Sequence, residues 1–166
     1  MKKIQKMIIG TLVCFALFAT SFLQAQNLNF GDIVINELMA SNDSLSTITD
    51  PDGGTPDWLE LYNPTAIAID ISGYYLSDKV SNPTKWQVPS SFIIPANGVA
   101  VVFCSGRNEV SGGFAHTNFK ITQTKGSEVF LLSDAAAVLL DSVSVRSNLK
   151  THSRGREVNG SAIWSV

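Results

Sequence analysis

The chain has 166 residues, of which 45% are hydrophobic and 16% charged, and its formal net charge is −2. Residues 1–25 contain three lysines and no acidic residue, so their removal leaves 9 basic and 14 acidic residues, a net charge of about −5. This charge argues against a general role in binding nucleic acid or an anionic membrane. The remaining 141 residues are enough for one domain with its own core.

The first 25 residues are predicted to be a secretory signal peptide. A basic start, an apolar run and a small residue follow one another: Lys2, Lys3, Lys6, Met7–Leu23 and Ala25. Cleavage after Ala25 is expected, which gives a secreted or cell-envelope protein with a short N-terminal lead, residues 26–31. Retention as a membrane anchor is the alternative, but no basic stop-transfer cluster follows the apolar run.

The rest of the chain has the periodicity of β-strands. Short runs rich in β-branched and aromatic residues, separated by turn residues, lie at 32–39, 57–63, 66–71, 74–77, 85–88, 99–104, 127–133 and 137–145. No segment has the pattern of an amphipathic helix. The spacing predicts a single all-β domain over residues 32–166, folded as an antiparallel β-sandwich, with a hairpin turn at Asp134.

The stretch "DPDGGTPDWLELYNPT", residues 50–65, raises the question of a metal site. Asp50, Asp52, Asp57 and Glu60 offer hard oxygen ligands of the kind that Ca²⁺ prefers. Their spacing does not fit an EF-hand loop, and the prolines and the Asp-Gly step are typical of a tight turn. We therefore predict a turn and no cofactor, and keep calcium as the alternative. The alternation in "DWLELYN" places Leu59 and Leu61 in the core and Glu60 on the opposite face.

Catalytic motifs are few. Glu37, Asp57 and Glu60 are the candidates for paired carboxylates, although strand-borne acids are common in sandwiches. The histidines, His116 and His152, belong to no recognisable motif. Cys104 is the single cysteine after residue 25, and its place at a strand end predicts a buried thiol.

Basic residues concentrate near the C-terminus. Arg146, Lys150, Arg154 and Arg156 lie within eleven residues without interleaved aromatic residues. This pattern favours a solvated strand edge whose arginines brace the backbone, with a small-anion or nucleic-acid contact as the alternative.

Several blocks of the sequence resemble, in order, the lamin-tail domain of secreted bacterial proteins. They are "IVINELMASN", "DWLELYNPTAIAIDISGYYLSD", "KWQVPSSFIIPANGVAVVF", "HTNFKI", "GSEVFLLSDAAAVLLDSV" and "SRGREVNGSAIW", within residues 32–164. The resemblance implies an immunoglobulin-like β-sandwich. It aligns the family's best-marked positions with Trp58, Glu60, Tyr62, Asn63, Gly73, Tyr75, Ser153, Gly155, Arg156 and Trp164. None of these positions is catalytic in the family, and the stop at "IWSV" suggests a domain truncated at its C-terminal end.

The resemblance implies a function of binding or tethering. We expect a secreted, non-catalytic module whose partner is a protein, a glycan or an envelope surface, with no nucleic-acid partner and no membrane span after signal removal. One alternative is an accessory domain of an extracellular enzyme, such as a nuclease, a phosphatase or a spore-coat-kinase-like protein. The other is a calcium-dependent adhesion module, which depends on the Asp50–Glu60 cluster alone.

Overall fold

The computed structural model of the chain describes residues 32–45, 48–121, 129–144 and 152–166. Thirteen β-strands and no helix occur within these ranges, so nothing in them has the length and apolar character of a membrane-crossing helix. The strands are β1 (Val34–Met39), β2 (Trp58–Tyr62), β3 (Ile69–Asp70), β4 (Tyr75–Ser77), β5 (Trp86–Gln87), β6 (Ile93–Ile94), β7 (Val99–Phe103), β8 (Glu109–Ser111), β9 (Phe114–His116), β10 (Val129–Ser133), β11 (Leu139–Ser144), β12 (Arg154–Arg156) and β13 (Trp164–Ser165).

The strands form two packed sheets and a small ribbon. The larger sheet has seven strands in the order β13-β12-β1-β2-β7-β9-β8, the smaller has four in the order β11-β10-β4-β5, and β3 pairs with β6. The predicted all-β sandwich is confirmed. One pairing departs from the antiparallel pattern, because β9 runs parallel to β7. The reason is the tight turn at Gly112 and Gly113, both at positive φ, which folds β8 back on β9 and leaves β9 beside β7.

Each of the eight predicted strand segments contains an observed strand, and the predicted turn at Asp134 is present. Five further strands, β6, β8, β9, β12 and β13, are only two or three residues long. Alternation cannot be detected in so few residues, and the sequence therefore does not predict these strands. In the folded domain they pair with the backbone of neighbouring strands.

The core lies between the two sheets, as the alternation predicts. Leu59 and Leu61 of β2 are fully buried, and they face a layer that includes Trp86, Phe130 and Leu132 of the smaller sheet. The opposite face of β2 is not simply solvent, because Trp58 on that face is also buried. Something outside the sandwich must therefore cover it, and the loop before β2 does so.

A buried ion pair joins the two sheets. Arg156 Nη2 donates to Asp141 Oδ2 at 2.8 Å, and the side chains are 10% and 9% exposed. Both residues also bind Ile35 of β1: its N–H donates to Asp141 Oδ2 (2.8 Å) and its carbonyl accepts from Arg156 Nε (2.9 Å). We call Ile35, Asp141 and Arg156 the inter-sheet clamp. The sequence prediction that Arg156 braces the backbone is confirmed, but the solvated edge is wrong for this residue, since it is enclosed between β1 and β11.

The clamp sits at an irregularity of β1. The register with β2 shifts between Ile35 and Glu37, which forms a β-bulge. A bulge takes backbone groups out of the regular ladder, and buried N–H and C=O groups need partners. Asp141 and Arg156 supply those partners from other strands.

Asp141→Ala is expected to lower the free energy of unfolding by about 3–5 kcal/mol, because it leaves the Arg156 guanidinium and the Ile35 N–H without their buried acceptor. Urea denaturation followed by tryptophan fluorescence measures this. Ser142→Ala, an exposed neighbour, is the control and should stay within about 0.5 kcal/mol of the wild type. A loss below about 1 kcal/mol in Asp141→Ala would show that the clamp contributes little.

Candidate functional site

Asn42 connects distant parts of the long loop between β1 and β2 by hydrogen bonds. Asn42 Nδ2 donates to the carbonyls of Ile48 (3.0 Å) and Pro56 (2.9 Å), so it ties together distant parts of the loop. Its backbone N–H donates to Asp57 Oδ1 at 2.8 Å, next to the start of β2. A loop of this kind has a defined shape despite its polar composition.

The loop covers the outer face of the larger sheet. Met39, Trp58 and Phe103 form a small buried cluster there, separate from the main core, and Ile48 of the loop packs against it. Burying these large side chains under the loop removes a substantial apolar area from water, which holds the loop on the sheet.

The turn predicted at the Asp-Gly step is present. Gly53 N–H donates to the Asp50 carbonyl at 2.9 Å, and Gly53 has φ = 78°, a conformation that favours glycine. Asp50 Oδ1 accepts hydrogen bonds from the N–H groups of Asp52 (3.1 Å) and Gly54 (2.7 Å). One oxygen of the predicted calcium ligand Asp50 is thus used to fix its own turn.

An arginine attaches this turn to the other side of the site. Arg107, in the connection between β7 and β8, forms ion pairs with Asp50 (3.0 Å), Asp52 and Glu109 (3.3 Å). We call these four residues the Arg107 latch. Because Asp50 and Asp52 lie in the β1–β2 loop and Glu109 lies in β8, the latch connects two segments that are far apart in sequence.

A buried histidine lies directly beneath the latch. His116 of β9 is 2% exposed and stacks on Phe103 with ring centroids 5.2 Å apart. Its Nδ1 lies 3.0 Å from Ser105 Oγ, and Arg107 Nη2 lies 2.9 Å from Nδ1 and 2.7 Å from Nε2. Burial lowers the pKa of His116 below its ordinary value, and the positive charge of Arg107 lowers the pKa further.

The Ser105–His116 contact differs from the nucleophile and base of a hydrolase. In a hydrolase the histidine accepts the serine proton and becomes an imidazolium, which a carboxylate on its other ring nitrogen stabilises. In this site a guanidinium contacts both ring nitrogens instead. The resulting repulsion disfavours the imidazolium, so the pair is suited to structure and unsuited to proton transfer.

An open cleft of about 380 Å³ lies beside the latch. Its lining comprises Asp50, Thr55, Pro56, Asp57, Cys104, Ser105, Arg107, Lys120 and Ile121. Lys120 is exposed and forms a β-bridge with Ser105, which also lines the cleft. Within the described residues Lys120 makes no ion pair, in contrast to the triply paired Arg107. Buried Cys104 and Ile121 supply an apolar part of the lining.

The thiol of Cys104 is unsuited to nucleophilic chemistry. It is a free cysteine and buried, as the sequence predicts. Burial raises its pKa far above the ordinary value, so it stays protonated at neutral pH, and the thiolate is the reactive form.

The four predicted calcium ligands do not come together. Asp50 and Asp52 share Arg107, Asp57 accepts from Asn42, and Glu60 Oε1 accepts from Asn36 Nδ2 at 2.8 Å on the outer face of the sheet. No group of three or more acidic, histidine or cysteine side chains suited to a metal occurs in the described part of the chain. Calcium binding stays the alternative to the predicted turn.

Two of these carboxyl groups are nevertheless unusual. Burial raises the pKa of Asp57 and of Glu60, although a hydrogen bond opposes the shift in each case. Glu37 lies directly opposite Glu60 in the β1–β2 pairing, and its charge raises the pKa of Glu60 further. Of the three candidates for paired carboxylates, Glu37 and Glu60 are therefore neighbours outside the cleft lining, whereas Asp57 lines the cleft.

Other predicted residues lie away from the cleft. His152 is exposed just before β12. Arg154 and Arg156 each place a guanidinium near the ring of Trp164, 4.8 Å and 5.0 Å from its centroid, and this contact pins β13 to β12. Arg146 and Lys150 lie outside the described residues.

The model of the family described as Lamin Tail Domain matches residues 26–147. The chain belongs to the lamin tail domain family. No curated protein matches the chain. The match includes the strands of the sandwich from β1 to β11, and the closing segment with Ser153, Gly155, Arg156 and Trp164 lies beyond it. This lamin tail domain has the all-β sandwich that the resemblance implies.

Sequence reasoning missed the residues that organise the site. Arg107, Ser105 and Lys120 stand in the polar stretches "SGRNE" and "NFKI", which look like ordinary turns. Arg107 and Lys120 each follow the end of a strand by a few residues, a pattern too common to be a specific signal. Their importance follows from the crossover through β8 and β9, which brings them to the β1–β2 loop.

Calcium at millimolar concentration is expected to leave the melting temperature of residues 26–166 unchanged, because Asp50 and Asp52 already pair with Arg107. A bound ion at a hundredfold excess over its dissociation constant would stabilise the fold by about 2.7 kcal/mol. Thermal melts with calcium and then with chelator measure this. A rise of several degrees that is lost in Asp52→Ala and in Asp57→Ala would establish the calcium site instead.

The stability of the domain is expected to fall as the pH drops below about 6.5. Because the pKa of His116 is lower in the folded state, the unfolded state binds the proton more readily, and stability present above the unfolded pKa is lost on acidification. Urea denaturation at pH 7.5 and 5.5 should show a smaller loss for His116→Gln than for the wild type. His152→Gln is the matched control and should lose as much as the wild type; equal losses in all three proteins would contradict the role of His116.

Proposed function

We propose that this lamin tail domain is an exported, non-catalytic interaction module that binds a protein partner through the cleft beside the Arg107 latch. The observation that carries the proposal is that the two cationic side chains of the cleft differ in their contacts. Arg107 is held by three carboxylates and fixes the walls, whereas exposed Lys120 remains available to a ligand.

The state of the reactive groups supports a role without catalysis. The Cys104 thiol is buried with a raised pKa, and His116 is buried against a guanidinium. Each group that chemistry would need is used to hold the loop or the core. The family match is in keeping with this, since the lamin tail domain has an immunoglobulin-like frame typical of interaction modules.

The chemistry of the cleft favours a partner that presents a carboxylate. An exposed lysine beside an apolar lining forms a site for an acidic side chain whose stem contacts Ile121 and Pro56. Asp50 and Asp57 on the opposite wall repel a second negative charge. The cleft therefore fits a single acidic residue in an otherwise neutral protein segment.

Export is part of the proposal. The basic start and apolar run before Gln26 support it, and the family match begins at that residue. In the protein recovered from outside the cytoplasm, N-terminal sequencing is expected to begin near Gln26.

Lys120→Glu is expected to weaken binding to the partner at least about tenfold, since it replaces the available cation with an acid. The tagged, exported chain is used to capture proteins from the medium and envelope of the producing cells, with quantitative mass spectrometry as readout. The dissociation constant of the purified partner is then measured for each variant. Lys79→Glu, which changes an exposed lysine outside the cleft lining, is the charge-matched control.

Two outcomes contradict the proposal. One is that the wild type and Lys79→Glu capture no protein in larger amount than Lys120→Glu does. The other is that the purified wild type hydrolyses phosphate-ester or phosphodiester substrates and loses this activity in Ser105→Ala, which would identify the cleft as an active site.

A further inference from the structure

The turn between β10 and β11 exposes an unbroken apolar stretch. Residues 135–139, with the sequence Ala-Ala-Ala-Val-Leu, are all exposed, and Val138 and Leu139 are 58% and 41% exposed. Single exposed apolar residues are common on protein surfaces, but a contiguous set at one tip is a typical mark of a contact surface.

The tip is held in one conformation. Asp134 Oδ1 accepts hydrogen bonds from the N–H groups of Ala136 (2.9 Å) and Val138 (2.8 Å), and the Asp134 carbonyl accepts from Ala137 N–H (2.9 Å). Ala137 has φ = 63°, where glycine or asparagine is the usual residue. An alanine there retains an apolar methyl group at the expense of backbone strain, and such strain tends to accumulate at functional positions.

The apolar surface continues from the tip onto the smaller sheet. In the strand register Ser133 lies opposite Tyr75 on one side and opposite Leu139 on the other, so these two side chains flank it on the same face. The Tyr75 hydroxyl accepts from Gln87 Nε2 at 3.0 Å, which fixes the half-exposed ring. We call Tyr75 and residues 135–139 the hairpin patch. It combines a rigid aromatic residue with small apolar side chains, as the centres of protein interfaces do.

The surroundings of the patch are acidic. Asp134 forms the base of the tip, and Asp70 ends β3, where it accepts from Ser72 N–H, Ser91 Oγ and Phe92 N–H. These partners are neutral, and neither aspartate forms an ion pair within the ranges that the structure describes. Burial raises the pKa of nearby Tyr74 to about 12, and the charges of Asp134, Asp32 and Asp70 add to the shift. A partner with basic residues around an apolar pocket matches this surface, whereas an anionic membrane does not.

The hairpin patch and the cleft lie toward opposite ends of β1. Asp141, which follows Leu139 in β11, binds the Ile35 N–H near the start of β1, and the loop that lines the cleft follows the end of β1. A six-residue strand spans about 20 Å, so two proteins can bind these ends without competing for the same surface.

We propose that the hairpin patch is a docking surface for a second protein, one that offers an apolar pocket with lysine or arginine at its rim. This inference rests on the proposed function as an interaction module and extends it, because a module with two binding ends connects two proteins.

The test places a photo-crosslinking amino acid at position 138 of the full chain in the producing cells. A discrete adduct with another protein, absent when the same group replaces the exposed Val80, is expected. The partner is identified by mass spectrometry and purified. Its affinity for the wild type and for the double variant Val138→Ser/Leu139→Ser is then measured at low and high salt.

The expected result is at least about tenfold weaker binding by the double variant and a marked loss of wild-type affinity at high salt. Both altered residues are exposed, and a thermal melt verifies that the variant is folded. Capture of the cleft partner should be unchanged in the double variant, and docking at the patch should be unchanged in Lys120→Glu.

Four outcomes overturn the docking surface. The first two are an absence of adducts at position 138 and an adduct only with a second copy of this chain. The third is equal affinity of the wild type and the double variant for the purified partner. The fourth is binding of the wild type, but not of the double variant, to vesicles of anionic lipid. If the cleft partner is still captured through Lys120, the proposed function survives and only the docking surface fails. If the wild type binds neither a partner in the cleft nor a partner at the hairpin patch, the proposed function as an interaction module is also rejected.

Discussion

The inter-sheet clamp is the interaction on which the rest of the structure depends. It forms where β1 bulges, and at that point the two faces of the sandwich would otherwise be joined only by apolar packing, which has no directional preference. Asp141 and Arg156 take both backbone groups of Ile35 and thereby set where β1 lies relative to β11. The position of β1 in turn places the loop that follows it and the closing strands that pair with it. A buried ion pair is weak evidence for stability as such, but here its geometry specifies one arrangement of the sheets.

The second organising feature is the use of polar chemistry for structure. Asp50, Asp52, His116 and Ser105 together resemble the contents of an active site. Arg107 instead pairs with the two aspartates and Glu109 in the latch, which holds the β1–β2 loop over the outer face of the sheet, and its guanidinium also contacts His116. The buried cluster beneath the loop and the latch at its edge support each other. The domain thus has a firmly placed cleft at one end of β1 and a strained apolar tip toward the other, and these are the two surfaces that we propose for partners.

The sequence by itself determined the class of fold, and the physical reason is local. Short runs rich in β-branched and aromatic residues, such as those of β2, β7, β10 and β11, favour strands, and the glycine, proline and aspartate residues between such runs favour turns. These signals depend on residues that are close together in the chain. For the same reason the Asp-Gly turn at 52–53 and the hairpin turn at Asp134 could be predicted, as could the burial of Cys104 at a strand end.

Only the tertiary structure decided what the polar residues do. Arg107 meets Asp50 because β8 and β9 fold back beside β7, and Arg156 meets Asp141 because β12 lies on the edge of β1; neither pairing follows from sequence spacing. The same carboxylates are candidate calcium ligands in the sequence, and contacts with Arg107, 55 and 57 positions away, make two of them ion-pair partners. The periodicity of the sequence indicates whether a side chain faces the core. A contact between two charged side chains depends instead on which strands and loops are neighbours in the folded domain. The sequence by itself therefore determined the sandwich, whereas the arrangement of its strands in space determined the latch, the clamp and the cleft.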